Sequence, residues 1–226
     1  MHFSVISPAL GREREAAHEW AGGPYVEHQW LWRFFSAPAG TPRDFLFRRW
    51  DAGDLIRFYV LSQRAPRIQG NAWSLQTRDY APKLKAGMRF HFDLRANPTV
   101  AERHDGKARR HDVVMREKKR LLAERGLDRW DAWRSDDKPD LYTVVQNTCG
   151  AWLQARAARN GFEVNLDKLT VGAYEQHSQD TDVKFTTVDF SGELTVIDPP
   201  IFVATLFNGI GRAKAFGCGL LLIRPA

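Results

Sequence analysis

Two stretches of this chain run through strand and helix in the same order, and that repetition constrains the fold more than any single motif. Residues 2–6 alternate as a short strand, residues 12–20 have helical spacing, and Gly22-Gly23 stops them. Pro24 suits a first helical position, which predicts a second helical stretch over 25–35. Residues 43–50 and 55–62 are expected strands around the turn at 51–54. A weakly marked short helix then leads to a strand over 73–80. The order restarts near Met88. Residues 89–95 alternate apolar and polar, and a basic segment with eight Lys/Arg follows over 103–120. Leu141, Val144, Val145, Cys149, Trp152 and Leu153 then recur at helical spacing up to Asn160-Gly161. Residues 162–176 and 183–196 are expected to form a long hairpin around 178–182. Asp198-Pro199-Pro200 opens a short helix to Phe207, and 219–223 is the last strand. Two successive β-α-β-β-α-β orders predict an α+β protein of two tandem ferredoxin-like (RRM-like, βαββαβ) domains, 1–86 and 87–226. The RNP aromatic signature of RNA-recognition modules is absent, and the fold alone assigns no function.

Composition sets the class. With 226 residues, 43% apolar and eight Trp, the chain can bury a core. Lys plus Arg exceed Asp plus Glu by 33 to 27, a modest excess that fits a polyanionic partner. Two cysteines, Cys149 and Cys218, exclude a disulfide scaffold, and Cys149 falls on an apolar helical stripe. The N-terminus lacks the pattern of a signal peptide, and no apolar run approaches the ~20 residues of a membrane span. A soluble, cytoplasmic protein with no membrane contact is expected.

The final segment concentrates unusual residues. Gly209, Gly211, Gly217 and Gly219 enclose Arg212 and Lys214 between a short apolar helix and a closing strand. A helix cap and a tight turn would use one or two glycines. Four, with two cations inside, predict a loop for a nucleic-acid backbone. Lys214 stands where the third glycine of a dinucleotide fingerprint belongs, and no Walker lysine follows.

Seven histidines show no zinc or metalloprotease spacing, so neither metal nor cofactor is expected. His28 has distinctive company. On a helix it projects ~60° from Tyr25, and both flank an apolar face of Val26, Trp30, Leu31, Phe34 and Phe35. A surface histidine beside a packing tyrosine is the commoner outcome of such a pattern. The alternative is chemistry. RNA cleavage by the substrate's own 2′-hydroxyl needs no protein nucleophile, only proton transfer and charge stabilisation.

Four strings, in order, carry a family likeness: Tyr25-x-x-His28-x-x-x-Trp32, Arg43-Asp-Phe-Leu-Phe47, Leu94-Arg-Ala-Asn-Pro98, and the loop from Gly209 to Gly219. The chain resembles the CasE family, the CRISPR RNA-processing endoribonuclease of type I-E Cascade. The resemblance implies metal-independent cutting at the 3′ base of a repeat stem-loop. It also implies retention of the mature crRNA and assembly with other type I-E Cascade subunits. His28 takes the position of the family's catalytic histidine, and Tyr25 matches a tyrosine of some members. Lys107, Arg109 and Arg110, with Arg212 and Lys214, are the expected phosphate contacts. Lys184, in the hairpin after Phe162, is the expected contact to a groove of the stem. A non-catalytic RNA-binding subunit and a basic DNA-binding protein are the rival readings.

Overall fold

The computed structural model describes residues 1–20, 24–38, 40–52, 55–104, 107–178 and 184–226. Eleven strands and five helices are described. β1 (His2–Pro8), α1 (Glu13–Trp20), α2 (Pro24–Trp32), β2 (Phe45–Ala52), β3 (Leu55–Ser62) and β4 (Trp73–Asp79) come first. They are followed by β5 (Arg89–Ala96), β6 (Thr99–His104), β7 (Lys107–Asp112), α3 (Val113–Glu124) and α4 (Leu141–Ala157). β8 (Phe162–Val164), β9 (Thr170–Ser178), β10 (Lys184–Val196), α5 (Pro199–Asn208) and β11 (Leu221–Pro225) complete the chain.

The first sheet has the antiparallel order β2-β3-β1-β4, with its first and third strands in the middle. The second has the order β11-β5-β10-β8, β9 also pairing with β10, so that β5 and β10 are central and β8 and β9 together take the place of one edge strand. This is the ferredoxin-like arrangement, twice. The chain does not divide at one point, however. Met1–Leu84 and Val203–Leu220 form one compact unit, while Lys85–Phe202 and Leu221–Ala226 form the other. The boundary expected at 86/87 therefore assigns the glycine-rich loop to the wrong unit. The loop packs on Leu46 and Phe47 of the first sheet.

Aromatic packing holds the first unit. Trp30 of α2 lies 4.7 Å from Phe58 and 4.4 Å from Trp73, centroid to centroid, with Ile6, Phe47 and Val60 buried around them. Glu27, on the same helix, is buried and paired with Arg49 of β2, whose guanidinium lies over Trp20. A buried carboxylate is tolerated only when paired, so this contact fixes how α2 faces the sheet.

Two expectations are corrected. No helix forms among residues 63–72. Pro66 lacks an N–H, and Arg67 spends its own on the carbonyl of Phe34 (2.8 Å), while Arg64 is tied to Asp44 and the Ser36 carbonyl. The strand expected over 162–176 is two strands. Asn165 accepts from the Asp167 N–H and starts a 3₁₀ turn, Leu166–Lys168, which lies against Gly192 of β10. A Cβ at Gly192 would stand 2.9 Å from the Lys168 carbonyl oxygen. The basic segment is ordered as the β6–β7 hairpin followed by α3, capped by Asp112 accepting from the Met115 N–H. The expected tip at 178–182 lies, beyond Ser178, outside the described residues.

Candidate active site

α2 places Tyr25, His28 and Trp32 along one stripe, since positions i, i+3 and i+7 share a helix face. The Trp32 ring packs edge-on against Phe45 of β2 at 5.2 Å. Its indole Nε1–H donates to His28 Nε2 at 3.3 Å. That bond makes Nε2 the acceptor, so the neutral imidazole carries its proton on Nδ1, which is buried with no partner among the described residues. Tyr25 lies one turn back on the surface, 48% exposed, with no hydrogen bond to a described residue.

The loop completes the cluster. A 3₁₀ turn, Lys214–Phe216, brings the Phe216 ring to 6.5 Å from His28. Lys214 Nζ donates to the Asn208 carbonyl at 2.6 Å, which folds the ammonium back over the end of α5. The glycines serve this turn. Gly209, Gly211, Gly217 and Gly219 all have φ between +71° and +91°. A Cβ at Gly209 would meet the Gly219 carbonyl oxygen at 2.8 Å, and one at Gly217 would press the Phe47 ring at 3.2 Å. Gly217 and Gly219 are buried, so their expected role as RNA contacts is corrected: they shape the loop and offer no surface. Gly211 and Arg212 are its exposed members, with Gly209 and Lys214 half-buried.

Arg43, at the head of β2, supplies the charge. Its neighbour Asp44 is engaged by Arg64 through two hydrogen bonds of 2.6 and 2.8 Å, which hold the carboxyl below its ordinary range. Arg43 therefore has no carboxylate partner among the described residues. Its Nη1 is buried and unbonded, and its guanidinium lies 5.9 Å from the Phe45 ring. Burial, and secondarily the Arg43 charge, lower the His28 pKa below its ordinary 6.5. The same two causes lower the ammonium of Lys214. A neutral imidazole among uncompensated cations is arranged to take a proton beside an anion.

The boundary expected from the sequence divided His28 and Tyr25 from Arg212 and Lys214; the structure brings all four into one unit, with three contributors the sequence reading missed. Arg43 and Trp32 were present only as letters of quoted strings, and Phe216 carried no signal. The remaining predicted contacts lie in the other unit. Arg109 and Arg110 are exposed on β7 and, being consecutive, point to opposite faces of the hairpin. Lys107 opens the same strand, and Lys184 is exposed at the start of β10. Cys149 is buried among apolar neighbours, which pushes its thiol up to about 12 and makes it inert. Among the described residues no three His, Cys, Asp or Glu side chains converge as metal ligands would. No helix there is long and apolar enough to cross a membrane.

Known proteins share this chain's sequence and fold. The family model described as "CRISPR associated protein" matches residues 1–225. The CRISPR system Cascade subunit CasE of Escherichia coli is 27% identical over 211 residues, covering 92% of this chain and 96% of that protein. The CRISPR-associated endoribonuclease Cse3 of Thermus thermophilus is 29% identical over 233 residues, covering 98% and 97%. A solved structure of CRISPR endoribonuclease Cse3 bound to 19 nt RNA superposes with a TM-score of 0.68 over the whole of both chains, at 22% identity. At that identity the structural likeness is one of fold.

Proposed function

The chain belongs to the CRISPR associated protein family, and from that premise we propose that it is an endoribonuclease that cuts CRISPR repeat RNA. The observation that carries the reading is His28, neutral and half-buried, gathered with Trp32, Phe216, Lys214 and Arg43 in one unit. Two relatives of nearly full coverage bear the names of a Cascade subunit and an endoribonuclease. The substrate is the repeat stem-loop, cut at the 3′ base of the stem. The product is mature crRNA, which the protein keeps as one subunit of a type I-E Cascade assembly in the cytoplasm.

In the proposed step the substrate's 2′-oxygen attacks the adjacent phosphorus and the bond from phosphorus to the 5′-oxygen breaks. The 2′-hydroxyl displaces the Trp32 N–H from His28 Nε2 and gives up its proton there. The leaving 5′-oxygen takes a proton from water and the His28 imidazolium returns its own to the solvent, so the products are a 5′-hydroxyl and a 2′,3′-cyclic phosphate with His28 neutral again. Arg43, Lys214 and Arg212 offset the charge that grows on the phosphorane. Tyr25, exposed one turn from His28, is placed to donate to a substrate oxygen. The hairpin cations Lys107, Arg109 and Arg110, together with Lys184, hold the stem through its phosphates. No metal ion takes part.

Single-turnover cleavage of the host's own repeat tests the reading. His28→Ala is expected to slow cleavage by about 10²–10⁴-fold while repeat affinity stays within a few-fold. A 2′-deoxyribose at the cut position should bind and remain intact, and excess EDTA should leave the rate unchanged. A His28→Ala protein that cleaves at the wild-type rate, or a wild type that binds the repeat and never cuts it, overturns the enzyme in favour of an RNA-binding subunit.

A further inference from the structure

On the face of the first sheet opposite α1 and α2, aromatic rings run from one corner to the other. Trp50 of β2 is 6.4 Å from Tyr59 of β3, Tyr59 is 6.1 Å from Phe3 of β1, and Phe3 is 5.7 Å from Tyr80 just beyond β4. The strand register explains the line. Trp50 pairs with Arg57, Tyr59 with Arg48 and Val5, and Phe3 with Leu61 and Arg78. Each ring therefore lies one strand over and two residues along from the last, the diagonal spacing at which large side chains meet.

One end of the diagonal is covered and the other is open. Phe207 packs on Tyr80 at 6.2 Å, and the loop closes over Leu46. Trp50 is 42% exposed, and Arg57, Gln76 and Arg78 are exposed beside the half-buried Tyr59 and Phe3. Strand alternation sends Asp51 and Asp79 to the opposite face, where they meet Arg49 and His2. The strand residues on the aromatic face thus include the exposed Arg57 and Arg78, the buried Arg48, and no acid. Arg78 already lies over the Phe3 ring at 5.3 Å.

We propose that this face binds an unpaired polynucleotide strand, its bases stacking on Trp50 and Tyr59 and its phosphates held by Arg57 and Arg78. Every base offers a π-face, so a row of rings bordered by cations holds a single strand without reading its sequence. Trp, Tyr and Arg also suit protein interfaces. Here the all-cationic border favours a polyanion. The site lies away from His28 in the register and uses none of the residues assigned to cleavage, so it stands or falls separately from that reading.

The test uses the full chain and a fluorescein-labelled single-stranded RNA of about eight nucleotides, within the range of site sizes for such platforms, followed by anisotropy. Trp50→Leu keeps apolar area and loses the stacking surface; it should weaken binding about tenfold. Trp50→Phe should restore most of it. Arg57→Gln should flatten the salt dependence by about 0.7 in log–log slope. Circular-dichroism melting checks that each variant is folded. Repeat cleavage by Trp50→Leu and strand binding by His28→Ala should both match wild type. Photocrosslinking with 5-iodouridine in the strand should mark the peptides holding Trp50 and Tyr59. Wild-type affinity in Trp50→Leu and Arg57→Gln, or crosslinks confined to other peptides, overturns the proposal. If those two variants bind the strand normally but fail to join the protein assembly, the face is a protein interface instead.

Discussion

Two groups of cations differ in their surroundings, and the difference separates chemistry from grip. Around His28, Arg43 has a buried, unbonded Nη1 and Lys214 is half-buried. On the β6–β7 hairpin, Arg109 and Arg110 stand in water on opposite faces. Two unit charges ~6 Å apart interact by about 3 kcal/mol at an effective dielectric of ~20, and by about 0.7 kcal/mol in water. In the proposed function the enclosed cations therefore act on a particular atom and its pKa, and the exposed ones on a polyanion as a whole. Both groups are basic in the sequence. Only burial tells them apart.

The contrast breaks first at Arg43. Arg43→Gln is expected to slow cleavage about a hundredfold at saturating RNA, the scale of losing one positioned donor to the transition state. It should also raise the His28 pKa, since the Arg43 charge is one cause of its depression. The sign follows directly. A neutral base works above its pKa, so the acid limb of the rate profile lies below pH 6.5 in the wild type and shifts upward in Arg43→Gln. Linkage predicts a matching change in folding. The unfolded chain takes up the histidine proton first, so stability falls as pH drops through the window below 6.5, and the fall is smaller in the variant. An unmoved acid limb would show that Arg43 does not act on His28.

Lys214→Ala should come next, slowing cleavage about tenfold, with a smaller change in affinity than in rate. On the hairpin the pattern should invert. Arg109→Ala or Arg110→Ala should leave the saturated rate unchanged and lower the salt slope of repeat binding by about one unit each. A rate defect at saturation in either would erase the distinction drawn here. The smallest effect is expected from Trp32→Phe, which keeps a ring on Phe45 and removes the N–H held by His28 Nε2. It should slow cleavage a few-fold at unchanged affinity. ¹⁵N chemical shifts of His28 should then show Nδ1-protonated tautomer in the wild type and a mixture in the variant.

How much of this was legible in the sequence depends on the range of each contact. Helical and strand periods are local, which is why most elements, and the flanking of Tyr25 and His28 on one helix, were readable without coordinates. The β6–β7 hairpin was hidden because its alternation is carried by Arg, Ala and His, without an apolar face to mark it. Arg43 stood in plain view, but its importance comes from Asp44 turning to Arg64, a tertiary choice. Phe216 reaches His28 across most of the chain, and no local pattern announces such a partner. The four glycines stood out in the sequence, but not the tertiary crowding that most of them relieve. At least three are required by crowding within the protein itself, at Gly219, Ile210, Leu46 and Phe47.

The return of residues 203–220 to the unit begun by residues 1–84 sets an order of events during synthesis. His28 is made long before Lys214 and Phe216. A nascent chain holds its imidazole and Arg43 together from the first unit onward, while Lys214 and Phe216 are still to come. The cluster around His28 closes only once the loop has emerged, and any fragment ending before the loop lacks it.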